Sequence, residues 1–140
     1  MNTLNQESTA KIRSFTDLNA WKEAHKLVLM VYSITKKFPS DEIFGLTNQL
    51  RRASVSISSN IAEGFTRRSA KEKVQFYSTG LSSLTESQNQ FLISRDVEYI
   101  SKDDFILLAN QSVVVSKLLN GLIKGAKNVH FPVSVSIHNS

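Results

Sequence analysis

Cysteine is absent from this 140-residue chain, which excludes disulfides, iron–sulfur clusters and cysteine-based zinc sites. Proline and glycine are scarce, at two and five residues, and that scarcity favours long helices over many short strands and turns. No apolar run approaches the ~20 residues of a membrane span. The first residues, MNTLNQESTAKIRS, are polar and lack the hydrophobic stretch of a secretion signal. These absences predict a soluble, cytoplasmic protein with no membrane partner. Histidines number three, His25, His130 and His138, and none has the carboxylate spacing of a bundle metal site. The chain has no G-x-S-x-G, no P-loop and no dinucleotide fingerprint. The expectation is a protein that is not an enzyme and uses no metal or cofactor.

What is present points to a single folded domain. Hydrophobic residues make up 41% and charged residues 21%, enough for an ordinary core and too few charges for a disordered chain. The net charge is +5, and its placement matters more than its size. Arg51, Arg52, Arg67, Arg68, Lys71 and Lys73 lie in one window against only Glu63 and Glu72. Lys117, Lys124 and Lys127 form a weaker group, and no acid follows Asp104. Such clusters attract polyanions or acidic protein surfaces.

Hydrophobic periodicity predicts four helices. The first runs from Leu18 to Phe38, capped by Thr16 or Asp17 and stopped by Pro39. The second carries Leu46 to Phe65, with Gly64 near its end as a left-handed C-cap. Ser69 with Glu72 makes a capping box for the third, which ends near Asp96. Ser101 with Asp104 resembles a cap for the fourth, ending around Gly125 to Asn128. Short connections between long helices predict an all-α, antiparallel up-down-up-down four-helix bundle over residues 15–127. Residues 1–14 read as a flexible arm. Residues 128–140 read as a tail, disordered or docked, in which Val133, Val135 and Ile137 alternate like a strand. The apolar arcs are wide, especially at Val113 to Val115, and predict self-association.

The second helix carries an unusual second stripe: Gln49, Arg52, Ser56, Asn60 and Glu63, beside the apolar Leu46, Leu50, Ala53, Ile57 and Ile61. Serine and asparagine are mediocre helix formers, so the stripe is expected to meet another helix, another subunit or a ligand. Glu63 and Glu86 are expected to face inward and pair with Arg51 or Arg52, since buried charges need partners. Arg51 and Arg52 point about 100° apart on a helix. That assigns Arg52 to internal or intersubunit pairing, and Arg51 to an external contact alongside Arg67, Arg68, Lys71 and Lys73.

The segments FTDLNAWKEAHKLVLMVYSITKKFP and EIFGLTNQLRRASVSISSNIAEGFTRRSAKEKVQFYSTGLSSLTE closely resemble the four-helix-bundle proteins encoded within bacterial 23S rRNA intervening sequences. The resemblance spans Phe15 to Ile123 and rests on F-P-x-x-E-x-F-G-L and Q-L-R-R-A-x-x-S-I-x-x-N-I-A-E-G. That family is related to the accessory variability proteins of diversity-generating retroelements, which act with a reverse transcriptase. The resemblance implies a bundle that assembles into a homo-oligomeric ring, typically a pentamer, and binds RNA or DNA through a basic surface. Its motif positions fall on Gln49, Arg51, Arg52, Ala53, Ser56, Ile57, Asn60, Ile61, Ala62, Glu63, Gly64 and Arg67 or Arg68, and bring no catalytic role. Where members carry Gly-Ser before Leu-x-Glu, this chain has Ser82 and Ser83, small enough for close packing. Two functions follow as expectations: a nucleic-acid-binding ring, or a scaffold ring that docks an acidic protein partner.

Overall fold

The structure, a computed structural model, describes residues 11–139, with side chains described through residue 129. The described residues form four α-helices and no strand: α1 (Asn19–Thr35), α2 (Leu46–Thr66), α3 (Ala70–Asp96) and α4 (Lys102–Asn139). Single 3-10 turns at Phe15–Asp17 and Ser40–Glu42 precede α1 and α2. Each helix packs mainly on its sequence neighbours, and α1 also packs on α4, closing the set. Leu27, Ile57, Ile61, Leu84, Phe91, Val115 and Leu119 fill the interior.

The first cap differs from expectation. Ser14 and Asp17 exchange hydrogen bonds across the Phe15–Asp17 turn, so the capping box belongs to that turn and α1 starts after Leu18. Asp17 accepts from the amides of Arg13 and Ser14, which hold its carboxyl below the usual range. The expected arm therefore does not extend to residue 14: Ile12 already packs on the core. Its first ten residues lie outside the described ones. The caps at Ser69 and Ser101 are present, accepting from the amides of Glu72 and Asp104 at 3.1 Å each.

The fourth helix runs past Gly125–Asn128, where it was expected to end, and continues to Asn139. A helical glycine costs only about 1 kcal/mol. Leu118, Leu119, Leu122 and Ile123 anchor the turns just before it. The alternating valines of the tail thus lie in a helix and not a strand. Whether that tail docks concerns side chains outside the described ones. The stretch Lys102–Val129 also corrects the reading that nothing approaches a membrane span. By length and composition alone it is long and apolar enough to cross one, although the core helix of a soluble protein passes the same test. Only 28% of its apolar window is buried, because one stripe faces α1 and α3 while Leu107, Val113 and Val114 face out.

Two joints shape the bundle. At the end of α3, Glu98 adopts φ 65°. The Tyr99 amide donates to Ser94 and the Glu98 amide to Arg95, a Schellman arrangement with glutamate where glycine is usual. Gly64 has no positive φ and lies within α2. It serves close approach: a Cβ there would stand 2.5 Å from Tyr77 Cε1. The expected left-handed cap is replaced by a packing role because α2 continues to Thr66.

Candidate nucleic-acid interface

The polar stripe of α2 divides between two environments. Ser56 shares a 2.8 Å hydrogen bond with Ser83 of α3, and Asn60 Nδ2 donates to the carbonyl and hydroxyl of Ser56. Asn60 also lies beside Gly80, whose missing Cβ admits it. This half of the stripe meets another helix of the same chain. Gln49, Arg52 and Glu63 are exposed, and their side chains have no hydrogen-bond or ion-pair partner among the described residues. Glu86 is exposed too, accepting from Gln90 Nε2 at 3.2 Å. The expected pairing of Glu63 and Glu86 with Arg51 or Arg52 is therefore absent among the described residues. Water compensates carboxylates that face outward, so no partner is required.

Of the buried hydroxyls, the sequence period placed only Ser112 on an apolar stripe; Ser54, Ser87 and Ser94 went unrecognised. Ser54, Ser87, Ser94 and Ser112 are all at most 1% exposed. Each donates to a carbonyl three or four residues earlier: Arg51, Ser83, Gln90 and Ala109 respectively. Satisfied within their own helices, they act as small residues at helix contacts. The sequence signal was their period, because they extend the apolar stripes that Leu50, Leu84, Phe91 and Leu108 define.

The predicted basic residues fall in two places. Arg67, Arg68 and Lys71 surround the turn from α2 to α3 and are exposed. Arg67 lies over the Phe76 ring at 4.4 Å, and Arg68 and Lys71 have no partner among the described residues. Lys73, predicted to join them, is half-buried and committed elsewhere. Its ammonium donates to the carbonyls of Phe65 at 2.7 Å and Gly64 at 3.3 Å, closing the end of α2. Burial pushes it below its ordinary pKa. A free helix C-terminus needs donors, and a lysine one turn into the next helix supplies them.

Arg51 lies about 24 Å further along α2, at 1.5 Å per residue. It is half-buried, its Nε donating to Thr35 Oγ1 at 2.9 Å and its guanidinium lying 4.7 Å from the Tyr32 ring centre. Arg52 stands next to it. Despite their different directions on the helix, both long side chains line one open groove between α1 and α2, with Tyr32, Asn48, Val55 and Ser56. Tyr32 and Asn48 were missed in the sequence. Tyr32 falls outside the apolar stripe of α1, and an aromatic there is the available signal. Arg95 and Asp96, at 2.8 Å, form the one ion pair among the described residues, at the end of α3.

The family model of the 23S rRNA-intervening sequence protein matches residues 16–121. Among solved structures, this chain is similar to a protein of unknown function from the S23 ribosomal protein family of Bacteroides thetaiotaomicron VPI-5482. The TM-score is 0.70 at 21% identity, covering 75% of this chain and 95% of that one. The likeness is one of fold. None of the curated proteins matches the chain.

Proposed function

Because the chain belongs to the 23S rRNA-intervening sequence protein family, we propose that it is a cytoplasmic, non-enzymatic nucleic-acid-binding protein that works as a homo-oligomeric ring. The observation that carries this is the basic turn between α2 and α3. Arg67, Arg68 and Lys71 are exposed there without an acidic partner among the described residues. Unpaired cations on an exposed turn suit phosphates of RNA or DNA, with release of counterions. An antiparallel, up-down-up-down order is supported by contacts whose numbers run in opposite senses. Ser56 meets Ser83, Asn60 meets Gly80 and Gly64 meets Tyr77.

Ring assembly, with five subunits as in the resembled proteins, is supported by large apolar side chains left open. Phe44 is 91% exposed, and Leu107 and Val113 are exposed on α4. Apolar patches of this kind mark contact surfaces. The relation of the family to retroelement accessory proteins extends the proposal to a reverse transcriptase as partner.

The test combines light scattering with the ratio of absorbance at 260 and 280 nm across the same peak. A ring of about five subunits, with repeated basic turns acting by avidity, carrying nuclease-sensitive absorbance is the expected outcome. Charge reversal at Arg67, Arg68 and Lys71 is expected to abolish oligonucleotide binding while leaving the mass unchanged. A clean ring that binds no nucleic acid but retains one acidic protein would replace this reading with the scaffold.

A further inference from the structure

The basic turn accounts for phosphate contacts but offers no place for a base. The groove between α1 and α2 combines both chemistries. Arg51 is held from two sides, by Thr35 Oγ1 and by the Tyr32 ring, and only its Nε is used. Its two terminal nitrogens make no hydrogen bond among the described residues and the guanidinium is already held in place, which lowers the ordering cost of any contact it makes. Arg52 and Asn48 are exposed beside it and have no side-chain partner among the described residues. Tyr32 and Val55 are 39% and 38% exposed in the same groove. An ordinary solvated face would not expose an aromatic and an aliphatic side chain beside two guanidinium groups that have no acidic partner among the described residues.

We propose that this groove seats one nucleotide of a single-stranded nucleic acid, its phosphate between Arg51 and Arg52 and its base against the Tyr32–Arg51 stack and Val55. The inference rests on the nucleic-acid reading above and adds a base-contacting site to it. A guanidinium fork matches the two free oxygens of a phosphodiester. Stacking on tyrosine or on an arginine plane is open to any base, so the seat tolerates different sequences. The base must be unpaired to enter, so a duplex reaches only the phosphate part. Asn48 supplies an amide that can donate to or accept from a base edge.

The experiment is fluorescence anisotropy with a labelled single-stranded oligonucleotide of about 12 nucleotides and an abasic strand of equal length, a site size within the usual range for such proteins. The proteins are the wild type, Arg52→Gln, Tyr32→Leu and the Arg67→Glu/Arg68→Glu pair, each with its mass checked by light scattering. Arg52→Gln is expected to weaken both strands and to lower the slope of log affinity against log salt by about 0.7. Tyr32→Leu is expected to weaken the intact strand by about fivefold or more and the abasic strand much less. If both groove variants bind like the wild type while the Arg67→Glu/Arg68→Glu pair does not, the seat is refuted and the basic turn stands. If Arg52→Gln changes the subunit number, the groove is a contact between copies and the proposal falls. If the wild type binds neither strand, the nucleic-acid reading fails first, and the seat with it.

Discussion

On its α3 side, α2 is closed by small residues: Gly64 against Tyr77, Asn60 against Gly80, Ser56 bonded to Ser83. On its α1 side the same helix carries Arg51 and Arg52, which hold an open groove. One flank gains stability from close approach, and there Ser56 and Asn60 Nδ2 find their partners within the chain. The other leaves Arg52 without a partner among the described residues and holds Arg51 only through its Nε and the face of its guanidinium. A helix can thus use one face as a structural seam and its neighbouring face as a recognition surface. The division is made residue by residue through side-chain size.

Substitutions can break that contrast, beginning with the largest effect. Gly64→Ala puts a Cβ 2.5 Å from Tyr77 Cε1 and 2.8 Å from Cδ1. Overpacking of a tight contact costs about 1–3 kcal/mol, so chemical denaturation should show a clear loss of stability. Ser56→Ala removes the bond to Ser83, and a loss of about 1 kcal/mol is expected in the same measurement. Gly80→Ala sharpens the comparison. Its added Cβ meets Asn60 Cβ, the Ile57 carbonyl and Leu119 at 3.4–3.5 Å, which is ordinary contact. The helix-propensity gain should then prevail, raising stability by up to about 1 kcal/mol. A loss instead would mean that the seam tolerates no added methyl anywhere. Arg52→Ala on the open flank should change stability by less than about 0.5 kcal/mol. A larger loss would show that Arg52 has a structural partner.

The four helices were legible because their apolar residues repeat at helical spacing, and the caps at Ser69 and Ser101 because they follow a local rule. The buried stripe of α4, from Leu108 through Ser112 and Val115 to Leu119, lies where the period places it. Local patterns could not reveal how far a helix continues past a glycine, and so α4 was read short. The site was legible only in part. Charge clustering pointed to Arg51, Arg67, Arg68 and Lys71, of which Arg67, Arg68 and Lys71 are exposed, but Lys73 looked the same in sequence and caps α2 instead. Arg51 and Arg52 were separated by their angle on an ideal helix. Side chains of that length bend back to share a groove, a freedom that backbone geometry does not encode. Tyr32 joins them only through the packing of α1 on α2, a long-range fact invisible to any local window.

The one ion pair among the described residues, Arg95 with Asp96, is exposed on both sides and joins neighbours in sequence. An exposed pair of this kind contributes between about 0 and 1 kcal/mol. Among the described residues the fold therefore owes little to ion pairs: Lys73 and Asp17 serve it by bonding backbone carbonyls and amides, while Arg52, Arg68 and Lys71 stand free to be exchanged. A lineage could replace those free cations, and so change what the bundle greets, while Lys73 and Asp17 go on closing its helix ends. Relatives of this architecture with opposite surface potentials would then be variations on a single scaffold, diverging at the surface while Gly64 and the buried serines hold still.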